Sequence, residues 1–144
     1  NAIIELLAVT HWGALDVLVI DMPPGLGDAS LDLARLLRPA QYVVVAGRSR
    51  VVLETVRRML RFLTDMRLPV AGVVENMARG QTEEVAQLAR QFGAPFLGAL
   101  PFDANIEDAN GNAARISRTV LAGGLRQIRD RLLGHDPVAY GPGT

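Results

Sequence analysis

The chain has 144 residues, 49% hydrophobic and 21% charged, with 15 acidic side chains balancing 15 basic ones. That length suits one domain with a single core, and zero net charge gives no electrostatic case for nucleic acid or an anionic membrane surface as partner. Every basic residue is Arg and there is no Cys, which excludes disulfides, thiolate zinc sites and cysteine-ligated iron–sulfur clusters on these residues.

The sequence opens at Asn1 inside a helix-like apolar spacing (Ile3, Leu6, Leu7), not at a Met, and is expected to be a fragment, the carboxy-terminal part of a longer chain. No apolar run approaches the ~18 residues of a membrane span, so a soluble, cytoplasmic protein is expected. Residues 16–21 predict the first buried strand. A helix over residues 31–37 follows, with Asp28 as its expected N-cap. A second strand is predicted over residues 42–46. Val52, Val56, Met59, Leu60, Leu63 and Met66 then line one face of a helix, with Glu54/Arg58 and Arg61/Asp65 spaced i,i+4 on the wet face.

Strands over residues 70–74 and 96–100 flank another helix, whose Val85, Leu88, Ala89 and Phe92 repeat at i, i+3, i+4, i+7 before Gly93 and Pro95 end it. A last helix carries Leu121, Leu125, Ile128 and Leu132. Gly123 and Gly124 each weaken it by about 1 kcal/mol relative to Ala and predict a break there. Residues 1–134 are expected to form one domain, and residues 135–144, with two prolines and two glycines, a loose tail.

The four strands are rich in Val, Leu and Ile on both faces and alternate with helices. That pattern predicts an α/β fold: a parallel, doubly wound sheet with helices on both faces and the four strands as parallel neighbours.

The most informative stretch is Val17-Leu-Val-Ile-Asp21-Met-Pro-Pro24-Gly25-Leu-Gly-Asp28. An apolar strand ending in Asp, the Walker B arrangement, puts a carboxylate at the carboxyl end of a buried strand, where open α/β sheets bind ligands and where Mg²⁺ can be held directly or through water. Many strands end in Asp only for turn reasons. The two prolines and two glycines that follow make a loop that is neither helix nor strand, and glycine lets backbone N–H approach a phosphate.

Asp21-Met-Pro-Pro-Gly-Leu-Gly-Asp28 resembles the D-x-P-P-G-T-G-D signature of the Mrp/ApbC branch of the MinD/ParA superfamily, ATPases with a deviant Walker A loop. Val73-Val-Glu-Asn76-Met77 resembles that branch's G-I-V-E-N-M strand end, and Phe96-Leu-Gly-Ala-Leu-Pro101-Phe-Asp103 its F-L-G-x-I-P-x-D segment. The three signatures stand in the family's order and cover residues 15–106. The resemblance implies a partial P-loop NTPase domain that binds ATP/ADP and Mg²⁺ and works as an ATP-sandwiched homodimer. It implies that Asp21 serves Mg²⁺ and the attacking water, that Gly25 senses the γ-phosphate, and that Pro24 belongs to the nucleotide site. Asn76 would bond the adenine edge, flanked by Pro101, Phe102 and Asp103. Two readings stay open at Asn76, the other being a turn residue, and at Asp103, the other being a cap for the segment at Ile106.

The departures matter equally. There is no G-x-x-x-x-G-K-[ST] and no Lys, so neither loop lysine of the family is present. Residues 1–144 alone are therefore expected to be inactive in ATP hydrolysis, and the edge beside residues 17–21, where the phosphate-loop strand would lie, is expected to be uncovered. The C-x-x-C that Mrp-type carriers place after E-N-M is missing, so no cluster is expected on this chain. Gly47-Arg48-Ser49 replaces a small-polar-plus-proline turn; Arg48 and Arg50 are either phosphate-reaching or solvated. His11 beside Trp12 reads as packing at a helix end. The leading function is an ATP-hydrolysing switch protein linked to iron–sulfur cluster assembly. The alternatives are a MinD/ParA-like positioning ATPase and a non-enzymatic interaction module on a partial ATPase fold.

Overall fold

In the computed structural model, which describes residues 2–22, 27–37, 39–80 and 83–134, the chain divides into two compact units, Asn1–Ala40 and Gln41–Thr144. The first holds helices α1 (Ala2–Val9) and α2 (Asp28–Leu36). Trp12 closes α1: its indole Nε1–H donates to the Leu7 carbonyl at 3.2 Å, occupying one of the carbonyls a helix end leaves without a partner. α2 begins at Asp28 itself, with Gly27 in the N-cap position and no side-chain cap. The N-cap position expected of Asp28 is thus taken by Gly27.

Residues 16–21 depart from expectation. They form no strand ladder among the described residues, and Val17 and Val19 are 61% and 85% exposed. β-Branched residues favour an extended chain, but a strand exists only against a hydrogen-bonded neighbour. Among the described residues this segment has none. The expected fourth parallel strand is therefore not formed.

The second unit contains a sheet in the order β1 (Tyr42–Ala46), β2 (Val70–Ala78), β3 (Phe96–Pro101), both pairings parallel. α3 (Arg50–Asp65) and α4 (Glu84–Gln91) are the crossovers, and two short helices, α5 (Ile106–Ala109) and α6 (Ala113–Ile116), follow β3. Val44, Ala46 and Val73 meet Val56, Leu60, Leu63, Val85 and Leu88 on one face of the sheet. Val74, Leu97 and Leu100 meet Ile128 of α7 (Val120–Leu133) on the other. Consecutive residues Val73 and Val74 point into opposite cores, as the two-residue period of a strand requires. Helices on both faces of a parallel sheet are what the sequence predicts.

Two glycines make room for this packing, one between neighbouring strands and one between α7 and β3. A Cβ at Gly72 in β2 would lie 2.4 Å from Cγ of Leu97, and one at Gly124 in α7 would lie 2.8 Å from Cδ2 of Leu100. The break expected at Gly123 and Gly124 does not occur: α7 runs unbroken, because packing onto β3 outweighs the intrinsic cost of glycine. On α3, Glu54 lies 3.7 Å from Arg57 and 3.4 Å from Arg58, while Arg61 and Asp65 form no ion pair among the described residues.

Candidate functional site

Of the residues expected at a site, Asp21 belongs to the first unit, and Asn76, Pro101, Phe102 and Asp103 to the second. Pro24 and Gly25 lie outside the described residues. In the second unit, parallel pairing brings the carboxyl ends of all three strands to one edge of the sheet.

β2 is longer than its apolar run suggests. It continues through Asn76 and Met77 to Ala78, which pairs with Pro101. The chain stays zipped past the strand end, where the Phe102 N–H donates to the Ala78 carbonyl at 3.0 Å. Beneath this edge Glu75 is fully buried, with the small side chains of Ala46 and Ala99 as its register neighbours. At Asn76, Oδ1 accepts the N–H of Met77 at 2.9 Å. It is Met77, not Asn76, that takes the left-handed conformation, with φ 56°, and its side chain is 64% exposed. The Asn76 amide is thereby oriented by its own backbone. One carbonyl lone pair is engaged with Met77, which leaves a second and the Nδ2–H₂ group to recognise a partner.

Phe102 is 47% exposed, and the guanidinium of Arg79 sits over its ring, 4.4 Å from the centroid. Arg79 was not singled out by sequence, because nothing in the pattern links positions 79 and 102. Its carbonyl accepts a hydrogen bond from the guanidinium of Arg48, which joins the turn after β1 to the turn after β2. Ser49, next to Arg48, caps α3 by accepting the N–H of Val52 at 3.2 Å.

Asp103 is heavily engaged. Oδ1 accepts the N–H of Asn105 at 2.9 Å and its Nδ2–H₂ at 3.0 Å, and Oδ2 accepts the N–H of Val120 at 3.1 Å. The backbone N–H of Asn105 leads the causes that hold its carboxyl below the usual carboxylate range. The cap for the segment at Ile106 that the sequence left open is not formed: that helix has no side-chain cap and the Ile106 N–H bonds to the Asp103 carbonyl at 3.3 Å, while the Asp103 carboxylate holds Asn105 and the first residue of α7.

In the first unit, Asp21 is exposed at the rim of an apolar cleft lined by Leu6, Leu7, Trp12, Leu18 and Ile20. Among the described residues no group of three or more His, Cys, Asp or Glu is arranged to hold a metal. A lone accessible carboxylate does suit Mg²⁺, which keeps several waters and takes one or two carboxylates plus substrate phosphates. No helix among the described residues is long and apolar enough to cross a membrane.

Residues 1–127 match the ParA family described as NUBPL iron-transfer P-loop NTPase. An iron–sulfur cluster carrier protein of Aquifex aeolicus is 34% identical over 123 residues, which cover 75% of this chain and 33% of that protein. One of Pseudomonas fragi is 36% identical over 124 residues, covering 78% and 43%. The cytosolic Fe-S cluster assembly factor NUBP2 of Homo sapiens is 39% identical over 122 residues, covering 72% and 44%. The chain thus spans less than half the length of each of these relatives. The family agrees with the resemblance carried by the three motifs.

Proposed function

The chain belongs to the ParA family of NUBPL-type iron-transfer P-loop NTPases, and from that premise we propose that it carries the base-binding and Mg²⁺-binding elements of an ATP-dependent switch protein in iron–sulfur cluster assembly. The observation that carries the reading is the juxtaposition of Asn76 with Pro101 and Phe102 at the ends of adjacent parallel strands, fixed by the Phe102–Ala78 hydrogen bond at 3.0 Å.

An adenine edge needs an acceptor for its amino group and a donor for a ring nitrogen. The oriented amide of Asn76 offers both. Guanine presents a carbonyl where adenine has the amino group, so the same amide meets it acceptor to acceptor. Phe102 supplies a flat apolar surface beside that edge. Asp103 meets no base in this reading; it holds the loop that does.

Asp21 would hold Mg²⁺, directly or through water, and Gly25 would sense the γ-phosphate, with Pro24 also at the nucleotide. When bound, Mg²⁺ would neutralise charge on the phosphoryl oxygens. No Lys occurs in this sequence, so the loop-lysine charge that the family places on the phosphates would come from outside residues 1–144. Without it the main electrostatic contribution to phosphoryl transfer is lost. An iron–sulfur cluster enters as cargo, and its thiolate ligands likewise come from elsewhere.

Hydrolysis measured on residues 1–144 alone and on the complete gene product tests this division of labour. Background turnover is expected from the first. From the second, Mg²⁺-dependent turnover is expected that falls at least ~100-fold in Asp21→Ala. Turnover by residues 1–144 that vanishes in Asp21→Ala, or turnover of the complete product indifferent to that change, would overturn it.

A further inference from the structure

We propose that Arg79, stacked on Phe102 and tied through its carbonyl to Arg48, is the wall that gives the base site its preference for a purine-sized ring. The inference rests on the base-binding reading above and adds a specificity-determining residue to it.

The guanidinium of Arg79 lies over an aromatic ring, whereas those of Arg57, Arg58, Arg90 and Arg129 lie against carboxylates. Phe102 belongs to neither apolar core. An exposed aromatic ring covered by a guanidinium contributes little to folding. What it does offer is a flat, cationic surface, and guanidinium planes and aromatic rings are the two groups on which proteins stack bases.

The position of that surface is fixed from both sides. The Arg48 guanidinium donates to the Arg79 carbonyl, and one residue earlier the Ala78 carbonyl accepts the Phe102 N–H. The turns after β1, β2 and β3 are therefore joined at Arg79. Asn76 lies only three positions before Arg79, across the left-handed turn at Met77. One short turn thus supplies both an amide that can read the edge of a base and a planar cation that can cover its face. A two-ring base covers more of such a plane than a one-ring base, so the wall favours purines over pyrimidines independently of the edge contacts.

Calorimetric titration of the complete gene product with ATP and with CTP tests the proposal, using wild type, Arg79→Ala, Arg79→Lys and Asn76→Ala. Wild type is expected to favour ATP. Arg79→Ala should weaken ATP on the order of ten-fold and CTP much less, compressing the purine-to-pyrimidine ratio. Arg79→Lys should not restore the ratio, because an ammonium keeps the charge and loses the plane. Circular dichroism of each variant should match wild type, since Arg79 is exposed. If Asn76→Ala weakens ATP while Arg79→Ala leaves the ratio unchanged, the role of Arg79 is refuted and the base site stands. If wild type binds neither nucleotide, or Asn76→Ala binds both as wild type does, the base site falls and this inference with it.

Discussion

The carboxylate of Asp103 accepts the backbone N–H of Val120 at 3.1 Å, joining the turn after β3 to the first residue of α7 across 17 positions. The same side chain accepts two bonds from Asn105, so one ionised group organises the loop beside Phe102. All three bonds favour the carboxylate form, and its pKa lies below the ordinary value.

The sign of the pH dependence follows. In the interval between the folded and unfolded pKa values the unfolded chain binds more protons, so stability rises with pH there. The contribution is complete above the unfolded carboxyl value, near 4, and fades as pH falls through the depressed folded value. Asp103→Asn is expected to lower the urea midpoint at pH 7, with the gap to wild type narrowing steadily below pH ~4. A gap of constant size from pH 7 to pH 2 would show that the carboxylate charge contributes nothing.

Gly72 has no room for a side chain. An added Cβ would lie 2.4 Å from Leu97 Cγ, so Gly72→Ala is expected to destabilise the second unit by roughly 1–3 kcal/mol through overpacking. Combining it with Leu97→Ala should cost less than the two single changes summed, because they share one contact. Strict additivity in chemical denaturation would contradict the packing assignment.

The neighbouring glycines of α7 are expected to respond in opposite senses. A Cβ at Gly123 meets nothing within 4 Å, whereas at Gly124 it lies 2.8 Å from Leu100 Cδ2 and 3.9 Å from Pro101 Cδ. Gly123→Ala should stabilise by up to about 1 kcal/mol through helix propensity. Gly124→Ala gains the same propensity but has to displace Leu100, and should come out neutral or destabilising. Equal gains in thermal midpoint would mean that α7 does not sit on β3 as described.

How much of this was legible in sequence depends on which interactions are local. The three strand cores and the faces of α3 and α4 were, because apolar spacing records burial directly: Val56, Leu60, Leu63, Val85 and Leu88 all lie in the core. Strand pairing was less so. Residues 16–21 and residues 42–46 read alike in composition, yet among the described residues only the second segment pairs in a strand ladder. At the site, Asn76, Pro101 and Phe102 came from motif resemblance alone. Arg79 and the Asp103–Val120 bond depend on contacts 23 and 17 positions apart, and no local pattern records such distances.

Val17, Leu18 and Val19 leave an apolar stretch exposed in the first unit, and apolar extended segments without a ladder partner promote association. Residues 1–144 are expected to self-associate as concentration rises, seen by light scattering, with Val19→Glu reducing it. A monomer at every concentration, whose amides over residues 17–21 exchange as in an unfolded peptide, would contradict this.

The central claim is that the amide of Asn76 reads an adenine edge, and the most direct measurement is nucleotide discrimination by calorimetry on the complete gene product. Wild type is expected to bind ATP about 10- to 100-fold more tightly than GTP, as mispaired hydrogen-bonding groups cost about 1–3 kcal/mol, and Asn76→Ala should abolish most of that preference while leaving Mg²⁺ dependence intact. Equal affinity for ATP and GTP in wild type, or a preference that survives Asn76→Ala, would contradict the account.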